Sequence, residues 1–270
     1  MLKKRVIFTL LYDNGSFMLS RNFRLQKVGD LAWLEKNYNF SRVAFSIDEL
    51  IVLDVSRGER NIDRFCENLK ALTKGCFVPI AAGGGILSLQ HAFALLRSGA
   101  DKIVINTPLF NDSRLILDLA SKFGQQCVVA SIDAKLISNS DYEIFAENGS
   151  KNIGKLNKWF EKISEYAIGE LYLNSIDRDG TGQGYDLCML SHIPQTLSVP
   201  IILAGGAGNF HHLAEGLSDP RVDAVATAHL FNFVGDGLEV ARRKLLEVQK
   251  FNLATWDHPR DIERRGISCN

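Results

Sequence analysis

Two long stretches of this chain repeat each other, and the repeat limits the possible folds more than any other feature. Val78-Pro79-Ile80-Ala81-Ala82-Gly83-Gly84-Gly85 is matched 121 positions on by Val199-Pro200-Ile201-Ile202-Leu203-Ala204-Gly205-Gly206. Gly99-Ala100-Asp101-Lys102-Ile103-Val104-Ile105-Asn106 is matched by Arg221-Val222-Asp223-Ala224-Val225-Ala226-Thr227-Ala228, at an offset of 122. The same spacing relates Glu49-Leu50-Ile51-Val52-Leu53-Asp54 to Glu170-Leu171-Tyr172-Leu173-Asn174-Ser175. It also relates the apolar run ending at Leu11 to the run ending at Asp133. Self-similarity at a fixed period marks an architecture built from equivalent units.

Each repeated block is a short apolar run, as expected of a strand buried on both faces. Strands are predicted near 5–11, 49–54, 78–82, 102–106, 127–133, 170–175, 199–204 and 223–228. Amphipathic stretches such as Leu87–Ser98, Ser113–Phe123 and Ile153–Tyr166 lie between them and are predicted to be helical. Eight alternations imply a parallel sheet with right-handed crossovers. In 270 residues they close more naturally into a (βα)8 TIM barrel of two pseudo-symmetric half-barrels than into an open doubly wound sheet. One domain over 1–251 is expected. A loosely attached tail is expected over 252–270, where apolar periodicity is lost.

Composition narrows the function. Lys+Arg and Asp+Glu number 31 each, so the chain lacks the basic excess of a general nucleic-acid binder. The five cysteines form no CxxC pair, which suggests a reducing compartment. The apolar run Val6–Tyr12 is too short to span a membrane. A cytoplasmic protein with no nucleic-acid or membrane partner is expected. The six histidines are scattered apart from His211-His212, and no GxGxxG follows a strand. No metal and no cofactor is expected.

In such barrels the C-terminal strand ends and the loops after them carry chemistry. Gly83-Gly84-Gly85 and Gly205-Gly206-Ala207-Gly208 occupy equivalent places there. Glycine lets backbone approach an anion, and a helix start can supply free N–H groups. Asn106-Thr107 and Ala228-His229, at the next strand ends, would lie beside them. The residues expected to bind phosphate are therefore Gly84, Gly85, Asn106 and Thr107 in one half. Gly205, Gly206, Ala228 and His229 serve the other, with Asp179 and Gly180 from the loop after strand six. The alternative is that the glycines only make tight turns. Asp133, at the end of strand five, suits acid–base work. Asp177 is a second catalytic candidate, and one of Asp177 and Asp179 is expected to be an Asx-type loop former. The repeat places an acid's counterpart at position 11, which is Leu11.

These residues resemble the cyclase subunit of imidazole glycerol phosphate synthase along nearly the whole chain. The resemblance rests on Asp48-Glu49-Leu50, Ala82-Gly83-Gly84-Gly85-Ile86, Gly99-Ala100-Asp101-Lys102, Ile132-Asp133-Ala134-Lys135, Ser175-Ile176-Asp177-Arg178-Asp179-Gly180-Thr181 and Gly205-Gly206-Ala207-Gly208. It implies a glutaminase subunit docked on the N-terminal barrel face, where Asp101 matches an acid of the docking surface. It implies ammonia passing through the barrel to a ligand with two phosphates. The family's gate of alternating charges falls on Arg5, Glu49, Lys102 and Glu170; a purely structural ring is the alternative.

The departures are as informative. Of the family's two catalytic aspartates, one matches Asp133 and the other falls on Leu11. The basic residue of the first loop falls on Leu19, and serines of the phosphate sites fall on Ala204 and His229. A positioned acid or base contributes roughly 10²–10⁴-fold, so efficient cyclisation is not expected. The chain is more similar to a side branch linked to surface polysaccharides. That branch is thought to supply ammonia to a sugar amidotransferase, which gives a third partner. A genuine cyclase using Asp54 or Asp177 in place of Leu11, and a non-catalytic phosphosugar-binding scaffold, are the competing readings.

Overall fold

The computed structural model describes residues 3–38, 43–138, 141–163, 166–229, 232–248 and 250–255. Twelve strands occur among them. In chain order they are β1 (Arg5–Asp13), β2 (Ser16–Arg21), β3 (Arg24–Gly29), β4 (Glu49–Asp54), β5 (Ile80–Gly83) and β6 (Lys102–Ile105). They continue as β7 (Val128–Ser138), β8 (Asp141–Ala146), β9 (Lys151–Lys155), β10 (Glu170–Ser175), β11 (Ile201–Ala204) and β12 (Ala224–Thr227). The helices are α1 (Leu31–Asn37), α2 (Ile62–Thr73), α3 (Leu89–Arg97), α4 (Pro108–Asn111), α5 (Ser113–Phe123), α6 (Leu156–Phe160), α7 (Phe210–Ser218) and α8 (Gly237–Glu247).

Eight strands run parallel and close. The neighbour order is β1-β4-β5-β6-β7-β10-β11-β12, and β12 returns to β1 with Arg5 opposite Ala224 and Phe8 opposite Thr227. This is the (βα)8 barrel. All eight predicted strands occur, each within a few residues of its expected bounds at the start.

Local chemistry sets the helix ends. Asn61, Ser88, Asp112 and Asn209 each accept a backbone N–H from the first turn of the helix they precede, the usual role of an N-cap. α5 ends at Gly124, whose φ of +90° suits a residue without a Cβ.

Two features depart from the sequence expectation. The first strand of each half carries a hairpin: β2–β3 folds back from β1, and β8–β9 from β7. Ile153–Tyr166 is therefore not one helix. Lys151–Lys155 pairs with β8, and Leu156–Phe160 is the α-helical part among the described residues. The crossover after β10 holds a 3₁₀ segment, Leu187–His192, and no α-helix. Both departures share a cause. Hydrogen bonding of strand edges in the hairpins, and tight local turns, override a helical pattern that is short.

Alternation along the strands separates two apolar regions. Residues such as Phe8, Leu50, Ile103 and Leu171 point outward into the layer covered by helices. Ile7, Ile51, Val104, Val129, Tyr172 and Ile202 point inward and fill the barrel. The chain beyond α8 returns to the floor. Leu253 bridges Lys4 and is buried, and the Ala254 carbonyl accepts from Arg242. The tail expected over 252–270 is thus packed at its start, and residues 256–270 lie outside the described residues.

Arg242 on α8 meets Asp48, just before β4, through two 2.9 Å hydrogen bonds. Both side chains are 5% exposed. Asp48 also accepts the Val6 N–H at 2.7 Å, so one carboxylate ties α8 to two strand starts. Removing one partner of a buried pair leaves an uncompensated charge and costs about 3–5 kcal/mol. Arg242→Ala is expected to lose that much in urea denaturation. A loss below about 1 kcal/mol would mean that the pair behaves like a surface contact.

Candidate functional site

The loops at the C-terminal strand ends enclose a cavity of about 640 Å³. Its wall includes Thr9, Leu11, Leu53, Asp133, Tyr172 and Asn174 from strands. Its rim includes Gly84, Gly85, Gly205 and Gly206 of the glycine runs together with Asn106, Thr107, Asp179, Gly180, Ala228 and His229. The structure thus brings every expected phosphate-binding residue to one cavity.

Gly84 and Gly206 have φ of +101° and +107°. A Cβ at Gly84 would lie 2.1 Å from the Asp54 carbonyl oxygen, and one at Gly206 would lie 2.1 Å from that of Gly184. Tight turns therefore explain the glycines sterically, and the same turns place backbone on the cavity wall. The helices begin later than expected, at Leu89 and Phe210. Ser88 and Asn209 already occupy the N–H groups of His91 and His212. Any anion here meets glycine backbone more than a bare helix end.

Asp133 is the acid of the mouth. Asn174 Nδ2 donates to its Oδ1 at 2.9 Å, and Asn106 Nδ2 donates to its Oδ2 at 3.0 Å. Burial pushes its carboxyl up to about 7, against the lowering effect of the two amides, with the Asp179 charge adding to the rise. A group in that range can hold or release a proton near neutral pH.

The strand positions across the barrel from Asp133 are apolar. Leu11 sits in register with Leu53 on β1 and β4, as Asp133 sits in register with Asn174 on β7 and β10. The repeat relates these two pairs. One half of the mouth has an acid with a donor beside it; the other has two leucines.

Asp179 lies in the cavity wall and accepts from Ser20 Oγ and from Phe23 N–H at 3.0 Å. Burial raises its carboxyl, and burial lowers the His229 imidazole. Asp177 is not brought to the cavity. Its Oδ2 accepts the Leu136 N–H at 2.8 Å, so it pins the β10 loop to the end of β7. Leu19, on β2, is not part of the wall either.

The four charged residues that the resemblance assigns to a gate meet at the other end. Arg5 contacts Glu49 at 2.8 Å and Glu170 at 2.7 Å; Lys102 contacts Glu49 at 2.9 Å and Glu170 at 2.8 Å. The ring is closed, with charges alternating in sign. Burial raises the Glu49 carboxyl, while Lys102 and Arg5 oppose the rise. Asp101 sits beside Lys102 and spends one oxygen on the Ile80 N–H at 2.8 Å.

Sequence reasoning missed Asn174, Tyr172, Ser56, Arg57 and Arg60, all in the cavity wall. The rule favouring C-terminal strand ends could have found the last three, which directly follow β4. Asn174 was hidden because its repeat mate is Leu53.

The chain matches the family described as histidine biosynthesis protein over residues 25–235. It belongs to that family. It is also 47% identical over 260 residues, 95% of each chain, to a protein of Parasynechococcus marenigrum (strain WH8102). That relative carries the provisional name imidazole glycerol phosphate synthase subunit hisF2.

Asp133 holds its proton more tightly folded than unfolded. The folded state therefore loses stability as pH rises from about 4, the ordinary carboxyl range, to about 7. The Asp133→Asn variant lacks this titration. Its stability relative to wild type is expected to rise across that window and level off above it. Urea denaturation at a series of pH values checks this; a constant difference contradicts the raised carboxyl.

Proposed function

We propose that this chain is the synthase-type subunit of a glutamine amidotransferase, modifying a surface-polysaccharide sugar rather than closing an imidazole ring. A glutaminase subunit docks on the N-terminal face near Asp101. Ammonia enters through Arg5, Glu49, Lys102 and Glu170, passes the interior and reaches a phosphorylated ligand at the mouth. A sugar amidotransferase is the third partner in this reading.

One observation carries the proposal. Three aspartates line the mouth. Asp54 is engaged by the Ser56 N–H and Arg60, and Asp179 by Ser20 and Phe23. Asp133, held by two amides, stands across from Leu11 and Leu53. A leucine cannot transfer a proton, so a reaction needing two opposed acid–base groups is poorly served. The apolar layer of Ile7, Ile51, Val104 and Ile202 supports passage of a neutral molecule. Ammonia crosses such a layer far more easily than ammonium, because burying an unpaired charge is costly. Asp133 is suited to taking the proton that incoming ammonia loses as it forms a bond to carbon. Membership of the histidine-biosynthesis family and the relative's name support a cyclase-like subunit; the sugar substrate is the finer part of the proposal.

Two measurements test it. With ammonium salt as nitrogen source, cyclisation of the bis-phosphate ribonucleotide is expected to run about 10²-fold or more below an ordinary cyclase subunit. Equal turnover favours the genuine cyclase reading, with Asp54, which also lines the cavity, in the role of the missing acid. With the glutaminase bound, Lys102→Ala opens the ring and is expected to uncouple glutamine hydrolysis from amide transfer. Unchanged coupling makes the ring a structural device.

A further inference from the structure

The two glycine runs suggest two equal anion sites, but the charges around them are unequal. The loop after β4, Val55-Ser56-Arg57-Gly58-Glu59-Arg60, borders the first run. Arg57 and Arg60 both line the cavity, and no other Lys or Arg among the described residues does so. Arg60 lies over Gly85: a Cβ there would be 2.5 Å from its Cδ and 2.9 Å from its Nε. A guanidinium has five N–H donors. That of Arg60 has one distant ionic partner among the described residues, Asp54 Oδ1 at 3.8 Å. The same oxygen already accepts the Ser56 N–H at 2.9 Å. Arg57 donates one Nη2 bond to the Phe23 carbonyl, which leaves most of its fork unused among the described residues.

Ser56 adds an independent observation. The residue is 1% exposed and lines the same cavity, yet its Oγ has no hydrogen-bond partner among the described residues. A buried hydroxyl left without a partner is costly, and a ligand oxygen in the cavity would supply one. Ser56, Arg57 and Arg60 thus offer a hydroxyl and two planar cationic forks, a set suited to an oxyanion.

The second run has the opposite character. Gly205, Gly206, Ala228 and His229 stand on the side of the wall that carries Asp179. Arg178, which the repeat pairs with Arg57, does not line the cavity.

We propose that Ser56, Arg57 and Arg60 make the first cradle a high-charge subsite that takes a dianionic phosphate group. The second cradle then takes the less charged end of the ligand. The loop after β4 thereby fixes which way round an asymmetric phosphorylated ligand lies, with one end near the leucine wall. This deepens the proposed function and rests on the reading of the glycine runs as phosphate sites.

Titration of the full chain with inorganic phosphate by calorimetry, above neutral pH, tests it. Wild type is expected to show one dominant site. Arg60→Gln, and the Arg57→Gln/Arg60→Gln pair more strongly, are expected to weaken that site by about 10-fold or more, the scale of charge-assisted hydrogen bonds. Ser56→Ala is expected to weaken it less. Arg97→Gln, on the outer face over Phe93, controls for loss of one positive charge. Circular dichroism and thermal melting confirm that each variant is folded. A folded double variant that binds phosphate like wild type overturns the inference, as does an equal loss in Arg97→Gln. Wild type that binds no phosphate overturns the cradle reading itself, and the inference with it.

Discussion

Closure of eight parallel strands leaves the barrel no free edge and turns every second residue of each strand toward its axis, where it must be satisfied by other side chains. The structure meets that demand in layers. Apolar side chains fill the middle, where Ile7, Ile51, Val104 and Ile202 meet. Charged and polar residues are confined to the two ends. At the floor, Arg5, Glu49, Lys102 and Glu170 neutralise one another in a closed ring. At the mouth, Asp133 is held by two amides. Burial of ionisable groups is costly unless each has a partner; at the mouth the partners come from neighbouring strands, and at the floor mostly from strands further round the barrel. The site is therefore a consequence of closure as much as of individual residues.

Within that frame the two halves differ in one crossover, where the helix after β4 has only a 3₁₀ counterpart after β10, and in the lining of the mouth. Backbone features repeat: the hairpin on the first strand, the glycine turn after the third, the acid that staples a strand start. Asp101 accepts from Ile80 and Asp223 from Ile201 in the same way. The side chains at the mouth do not repeat. Asp133 and Asn174 occupy the positions of Leu11 and Leu53, and Arg57 reaches the cavity where Arg178 does not. The lining is thus unequal in the two halves over a repeated pattern of turns.

Much of this was legible in the sequence. Strands buried on both faces give compact apolar runs, and the repeat located them twice, so the barrel and its glycine turns followed directly. Three things were hidden. The β8–β9 hairpin lay inside a pattern that also reads as helix, because Ile153 and Leu156 carry helical spacing and Lys151–Lys155 is polar. Asp177 and Asp179 could not be told apart, since the difference is which way each carboxylate turns: one to Leu136 N–H, the other to Ser20 and Phe23. The cationic loop after β4 carries no motif, and only its place at a strand end marks it. The leucine at position 11, in contrast, was visible at once and lies in the cavity wall.

In the proposed function this leucine, set against Asp133, removes half of the acid–base machinery from the mouth. Restoring the acid tests it most directly. In Leu11→Asp, ammonium-driven cyclisation of the bis-phosphate ribonucleotide, measured against the wild-type chain, is expected to rise by about 10²-fold or more. A folded Leu11→Asp variant with no higher rate than wild type would contradict the claim.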